Sequence, residues 1–362
     1  MSAVGKLAPT VWLLRALAGL VQGPTPHPCP SPYRRGVPRA LFVTGAAAVI
    51  AYVSRRLLSL ALTLLVAAVV IFIVLEILPG DPAAVTLGLN AAPEALAALR
   101  TEMGLDKPAA WRFLGWIAGL ATGDLGLSYT YRVPVAQLIA ERMAVTLPLA
   151  LIAIGLAVAI GIPLGIWAAA RHGRMVDAGI MAFAQAGLAI PNFWFGLLLV
   201  LVFAIGLGWL PAGGFPGWQA GAGAALKALA MPALALALPQ AAIIARVTRS
   251  AMLDTLQEDF VRTARAKGLP EGTALRRHAL RNALIPVVTI LGLQFSVLIA
   301  GAIIIENVFA LPGLGRLVFQ AIAQHDLIVV KDLVMLFAAA AILINFTVEL
   351  LYGLIDPRLR QR

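Results

Sequence analysis

Cysteine is almost missing. Cys29 is the single one in 362 residues, which excludes an internal disulfide framework, a Cys-rich zinc site and an iron–sulfur cluster held by this chain alone. Charge is scarce too. Asp, Glu, Lys and Arg make up 12% of the chain against 61% hydrophobic residues, and the mean hydropathy is +0.91. So few polar side chains cannot cover a soluble surface, so a soluble enzyme is excluded and much of the surface must face lipid. Acidic residues are the scarcer sign, 17 against 28 basic ones, for a net charge of +11. In a membrane protein such an excess first fixes orientation and says little about nucleic acid. A phosphate-cradling loop of the form G-x-x-x-x-G-K-[ST] is absent, since the lone Gly-Lys pair, Gly5-Lys6, is followed by Leu7. His27, His172, His278 and His325 are scattered, with no H-E-x-x-H or G-x-S-x-G. No catalytic residue, metal ligand or cofactor is assigned to the chain, and it is not expected to hydrolyse ATP itself.

What the chain has in abundance is long apolar runs. A helix crossing about 30 Å of hydrocarbon needs roughly 20 apolar residues, and six runs qualify, at about 57–78, 145–170, 178–208, 228–245, 284–309 and 333–354. The expected fold is an all-α polytopic membrane protein. The third run is long enough to be tilted or broken near Pro191. With six spans, fifteen Lys and Arg fall on one side, from Arg55 and Arg56 through residues 246–281 to Arg362, and eight on the other. By the positive-inside rule both ends of the bundle face the cytoplasm. Residues 1–50 do not fit the pattern and are read as a disordered or interfacial extension, with the transmembrane domain over 51–362. No cleaved leader is expected, because Arg15 interrupts the first apolar stretch.

The outer connection, residues 79–142, is long enough to carry structure of its own. Its pattern predicts a short helix over 93–103, with Leu96 and Leu99 on one face, and a second over 108–121. The second places Trp111, Phe113 and Trp116 where aromatic rings settle at a membrane boundary. Two readings stand: a platform for an external partner, or an interfacial cap on the bundle.

The largest inner connection, residues 249–283, reads as two short helices. In the first, Leu253, Leu256, Phe260 and Ala264 recur on one face while Arg262, Arg265 and Lys267 lie elsewhere. Gly268 ends it as a left-handed cap, and Pro270 cannot continue it. In the second, Leu275, Ala279 and Ala283 form the apolar stripe, with Arg277 and Arg281 one turn apart. Anchoring to anionic headgroups would account for the basic residues without any protein partner.

The residues themselves point further. Arg262-Thr263-Ala264, three residues, then Gly268 resembles the Glu-Ala-Ala loop of binding-protein-dependent ABC importer permeases, with Arg and Thr in place of the Glu and first Ala. Leu78-Pro79-Gly80-Asp81-Pro82, Ile190-Pro191-Asn192-Phe193-Trp194 and Gly208-Trp209-Leu210-Pro211 are similar to the dipeptide, oligopeptide and nickel branch of that family. So are residues 261–269 and 278–286, Glu306-Asn307-Val308-Phe309 with Pro312-Gly313-Leu314-Gly315, and residues 351–358. The opening and closing motifs resemble the first, B-type, permease subunit. The resemblance covers roughly residues 52–358.

The resemblance implies a six-helix importer permease bundle in the inner (cell) membrane of a prokaryote. Its implied partners are a second homologous permease, two ATPase subunits that carry ATP and Mg, an extracytoplasmic solute-binding protein, and membrane lipid, with no nucleic acid. It also implies that the 249–283 loop forms a coupling helix docking on the ATPase, with Phe260, Arg262, Thr263, Ala264, Arg265, Lys267 and Gly268 as the coupling residues. Polar residues inside the spans, Gln185, Asn192, Gln240, Gln294 and Asn345, are the candidates for the translocation pathway, with interhelical hydrogen bonding as their alternative role. Glu76, Glu306 and Glu349 lie near span ends, where interfacial water is within reach. The implied cargo is a peptide or similar small solute, with glutathione or nickel as alternatives. Two rival classes stand: an ATP-independent secondary transporter or channel, which would show inverted repeats or ionisable groups at mid-membrane, and a structural or signalling membrane protein, which leaves the ordered motifs unexplained.

Overall fold

A chain in hydrocarbon must satisfy its backbone groups internally, so apolar runs of this length become helices. The computed structural model describes residues 45–77, 82–87, 92–274 and 279–355. In chain order the helices are α1 (Gly45–Ile77), α2 (Pro82–Leu87), α3 (Pro93–Glu102), α4 (Ala109–Thr122), α5 (Val135–Ala170), α6 (Met175–Ala189) and α7 (Asn192–Leu199). They continue with α8 (Ala222–Leu256), α9 (Asp259–Ala266), α10 (Glu271–Ala274), α11 (Leu280–Val308), α12 (Leu314–Ala323) and α13 (Leu327–Ile355). A π-helical stretch, Val200–Gly206, extends α7. Contacts divide the chain into Met1–Ala48 and Val49–Arg362. Of the first unit only Gly45–Ala48 is described, as helix, so the extension expected over residues 1–50 lies almost entirely outside the described residues.

Among the described residues five segments are long and apolar enough to cross a membrane: Val53–Glu76, Val135–Ala170, Ala222–Leu256, Asn282–Val308 and Leu327–Val348. The third predicted run differs from a straight span. It forms two helices, α6 and the α7 stretch through Gly206, bent by 99°. Pro191 has no amide to donate, and the residue before it, Ile190, is extended at φ −88° and ψ 121°, as a pre-proline residue prefers. At 1.5 Å per residue α6 is only ~22 Å long, too short to cross alone. Elsewhere helices outrun their apolar stretches: α5 starts at Val135 and α8 runs from Ala222 to Leu256. Helical hydrogen bonding does not stop where hydrophobicity does.

The core lies along α8. Leu149 and Ala153 of α5, Leu229, Ala233 and Leu236 of α8, Leu298 and Ile305 of α11, and Phe309 just after it form its central cluster. The pairing of α5 with α8 is the most extensive in the bundle, and glycine makes it possible. A Cβ on Gly161 would sit 2.7 Å from the Ala241 carbonyl oxygen, and one on Gly165 would sit 2.5 Å from that of Ala245. Two glycines four apart on one helix face let the backbones touch, which is how helices gain attraction in lipid, where burial of apolar surface supplies none. Pro148 and Pro163 lie inside α5, and Pro232 and Pro239 inside α8.

By contrast α1 stands at the periphery, with Leu58, Leu62, Val66 and Val70 more than half exposed. It is held through Ala68, which packs with Trp116 of α4 and Met335 of α13. The connection between α1 and α5 does carry helices, α3 and α4, and Leu99 and Trp116 are their buried residues.

Candidate functional site

The 249–283 connection opens while α8 is still helical. Leu253 and Leu256 belong to α8 and pack with Ala169, Ala279 and Ala283, rather than sharing a face with Phe260 on one short helix. Glu258 is extended at φ −66° and ψ 145° and breaks the chain direction, and α9 begins at Asp259. On α9 the inward residues are Val261 and Ala264, both buried, while Phe260 is 43% exposed. Phe260 was expected on the inward face; the amphipathic phase is one residue later, because the helix starts after the break and not before it. Arg262, Thr263, Arg265 and Lys267 share the exposed surface with Phe260. Among the described residues Arg262 pairs with an exposed partner within its own helix, Asp259 at 3.7 Å, a pairing worth ~0.3–0.5 kcal/mol.

Gly268 closes α9 at φ +88°. Its amide donates to the Arg265 carbonyl at 2.9 Å and the Leu269 amide donates to the Ala264 carbonyl at 3.3 Å. This pair of bonds is a Schellman motif, which needs a left-handed residue between its two donors. Of the second predicted helix, α10 covers Glu271–Ala274, and Ala279 and Ala283 pack at the foot of α11. Residues 275–278, including Leu275 and Arg277, and the Arg281 side chain lie outside what is described.

A partly buried ion pair braces the base of this element. Arg249, near the end of α8, donates from Nε to Asp177 Oδ1 at 2.5 Å and from Nη2 to Asp177 Oδ2 at 2.7 Å. Asp177 opens α6 and is 4% exposed. The Gly173 amide donates to the same carboxylate at 3.1 Å, and His172 Nδ1 lies 3.1 Å from it. The bidentate fork fixes the α5–α6 turn to α8 seven residues before the helix ends, so a tilt of α8 is transmitted to that turn.

A second buried polar cluster sits at the other end of the bundle. Glu306 of α11 is fully buried, not in reach of interfacial water as its place near a span end suggested. Its Oε1 accepts from the Thr146 hydroxyl at 2.6 Å, and its Oε2 accepts from the amides of Gly315 at 2.7 Å and Arg316 at 3.2 Å. The Thr146 oxygen in turn accepts from the Leu314 amide at 2.8 Å. A carboxylate on the first turn of α12 satisfies amides that the helix leaves unpaired. This gives the Glu306…Gly313-Leu314-Gly315 pattern its physical reason: a Cβ on Gly313 would collide with the Glu306 carboxylate, and one on Gly315 with Ile303. Glu306→Ala removes the acceptor from three donors, two of them buried, at about 1–3 kcal/mol for each buried one. The expected result is a lower unfolding midpoint for the detergent-purified protein and a protease-sensitive α12, with Glu306→Gln close to wild type. Heat denaturation followed by size-exclusion chromatography checks this, and an unchanged midpoint for Glu306→Ala would sink the clamp.

The first family model that matches is the binding-protein-dependent transport system inner membrane component, over residues 161–361, and its N-terminal companion matches residues 49–150. The chain belongs to this family. It is a multi-pass membrane protein and a permease subunit of an ABC importer. A putative peptide transport system permease protein of Brucella abortus is 42% identical over 82% of this chain and 95% of its own length. A glutathione transport system permease protein of Escherichia coli is 42% identical over 86% of this chain and 99% of its own. Among solved structures, the inward-facing MetNI methionine ABC transporter matches with a TM-score of 0.52 at 18% identity, over 61% of this chain and 97% of that one. That match speaks to the fold.

In the permease, the five polar residues expected in the pathway differ in their surroundings. Gln185 is exposed, Asn192 and Asn345 are half-buried, and Gln240 and Gln294 are buried with a carbonyl oxygen that accepts no hydrogen bond. Among the described residues no hydrogen bond joins any two of them, nor do three His, Cys, Asp or Glu side chains gather as a metal site requires. Asn192 lies at the 99° break, where a Cβ on Gly301 would be 3.1 Å from its Nδ2. The π-helical turn after it was not anticipated, since no sequence signal distinguishes its apolar residues from an ordinary helix; such turns are frequent at functional sites. Asp177 and Arg249 were also missed as a pair. Arg249 counted only as one more inner positive charge, although Asp177 stands out as an acid among basic neighbours.

Proposed function

We propose that this permease forms half of the translocation pathway of an ATP-driven importer of short peptides, and that α9 is its docking element for an ATPase subunit. The observation that carries the reading is Phe260, an aromatic side chain held out from a helix that is itself pinned by Val261 and Ala264 and locked by the Gly268 cap. Around it Arg262, Arg265 and Lys267, with Thr263 among them, make a basic, polar rim, the arrangement of a small interface anchor. The full assembly on this reading holds a second homologous permease, two ATPase subunits that bind ATP and Mg, and a solute-binding protein on the outer side. Both ends of the bundle are cytoplasmic, as the fifteen-to-eight distribution of basic residues supports. ATPase closure then moves α9, and its short join to α8 turns that movement into rocking of the spans. The cargo is a short peptide in the broad sense, since relatives at equal identity are named for peptide and for glutathione, itself a tripeptide.

The test is to tag the chain in its native host, solubilise the membrane gently and identify what copurifies by mass spectrometry. A second permease and ATPase subunits are expected; a chain that purifies alone while a known complex survives the same protocol ends the reading. Phe260→Ala is expected to weaken ATPase retention by roughly thirtyfold, as loss of an aromatic anchor worth about 2 kcal/mol implies, while leaving the second permease bound. Uptake of labelled dipeptide and labelled glutathione, each with the genetically paired binding protein, then decides the cargo.

A further inference from the structure

At the end of the bundle away from α9, the outer end of α1, the α3–α4 segment, the turn at residues 124–129 and the start of α13 enclose a cavity of about 590 Å³. Nothing in the transport reading uses it. Its walls are mixed. Phe72 and Leu75 of α1, Trp111 of α4 and Ile328 of α13 are apolar, and the charged groups facing it are Glu76, Lys107, Arg112, Asp124 and Lys331. Among the described lining residues the cations exceed the carboxylates by one, three to two. Arg112 donates one Nη2 bond to Glu76, and Asp124 Oδ1 accepts from the Gly126 amide at 3.1 Å. Lys331 has no carboxylate within ion-pair distance among the described residues; its ammonium lies 4.9 Å from the centre of the Trp116 ring. A ring face occupies one side of an ammonium and leaves N–H donors free for an acceptor on the other. Tyr129, also on the wall, keeps its proton, because burial and then the nearby Asp326 push its phenol up to about 12, so it adds no negative charge. Beside the cavity, α1 presents exposed Val69, Val70, Ile73 and Val74, and α4 presents Leu114 and Trp111.

We propose that this cavity seats the headgroup of an anionic phospholipid, with its phosphate on Lys331 and Arg112 and its acyl chains along the exposed face of α1. Three features select a lipid over a free anion. Among the described lining residues the cation excess is a single charge, most of the uncharged lining is apolar, and the cavity adjoins the exposed apolar face of α1. A soluble dianion would gain from the cations but would lose against Glu76, Asp124 and the apolar walls; a phosphodiester with attached chains matches all three surfaces. The lysine on Trp116 and the arginine on Glu76 are held in place before the lipid arrives, which limits the ordering cost of binding.

The test uses the intact detergent-purified transporter incubated with phosphatidylglycerol or phosphatidylcholine, with retained lipid counted by native mass spectrometry. Wild type is expected to retain phosphatidylglycerol in preference to phosphatidylcholine. Lys331→Gln should lower that retention about fivefold, the factor one basic side chain contributes at an anionic headgroup. Gly115→Leu keeps every charge but fills the space, since Gly115 lines the cavity and a Cβ on it meets nothing within 4 Å; it should reduce phosphatidylglycerol to the phosphatidylcholine level. Monodisperse elution of both variants shows that they are folded. Equal retention in wild type and either variant overturns the proposal. So does displacement of the lipid by millimolar inorganic phosphate, which would make the cavity a site for a free anion.

Discussion

Replacing Gly268 by Val is expected to abolish uptake in cells while the permease still inserts and reaches normal levels in the membrane. Gly268 sits at φ +88°, where a β-branched residue is a steric outlier costing about 1–3 kcal/mol. The chain relieves that strain by opening the cap, and both closing bonds, Gly268 to Arg265 and Leu269 to Ala264, are lost. The exit direction of α9 then changes just ahead of Pro270 and α10. Nothing lies within 4 Å of a Cβ at this position, so the effect comes from backbone conformation and not from a clash. Asn tolerates the left-handed region, so Gly268→Asn is expected to retain most uptake, and this pair of variants separates cap geometry from side-chain chemistry. Initial uptake rates per inserted molecule are the measurement. Wild-type transport by the Val variant would remove Gly268 and α9 from the coupling role.

The second large effect belongs to the seam between α5 and α8. Gly165→Ala is expected to destabilise the bundle as a whole, so that the purified protein aggregates at temperatures the wild type survives. The added Cβ would meet the Ala245 carbonyl oxygen at 2.5 Å and the Thr248 Cβ at 2.6 Å, and backbone atoms cannot rotate out of the way. The helices must separate, at a cost of about 1–3 kcal/mol for overpacking, along the pairing that lies at the centre of the bundle. Gly155 lies on the same helix with nothing within 4 Å of its Cβ position, and Gly155→Ala is the matched control, expected to be neutral or slightly stabilising. Fluorescence-detected size-exclusion after heating reads the difference. Identical midpoints for the two alanine variants would mean that the seam relaxes at no cost.

Much of the element pattern follows from local signals. Apolar runs and their flanking charges locate the helices, and Gly268 with Pro270 marks the end of α9 because a left-handed cap is set by one residue and its neighbours. Local reasoning failed where a helix outran its composition. With Leu253 and Leu256 assigned to the loop, the apolar stripe took in Phe260; with α8 continuing to Leu256 and a break at Glu258, the inward positions are Val261 and Ala264. The same gap explains Glu306. Near a span end a carboxylate reads as solvated, and only the arrival of Thr146 and the start of α12 shows that it is a buried cap.

The sequence by itself determined that this protein lives in a membrane, how many apolar segments it has, which end carries the basic residues and which family motifs it holds, because composition, run length and charge placement act within a few turns of helix. Only the tertiary structure decided what the polar residues among those segments do. Glu306 meets Thr146 across 160 residues, Arg249 meets Asp177 across 72, and Trp116 meets Asp332 across 216. A lone acid or base beside an apolar run looks the same in the sequence whether it will be solvated, paired or lining a cavity. In a low-dielectric interior those outcomes differ by several kcal/mol, on the order of 3–5 for a broken buried pair, and it is the packing of distant helices that selects among them.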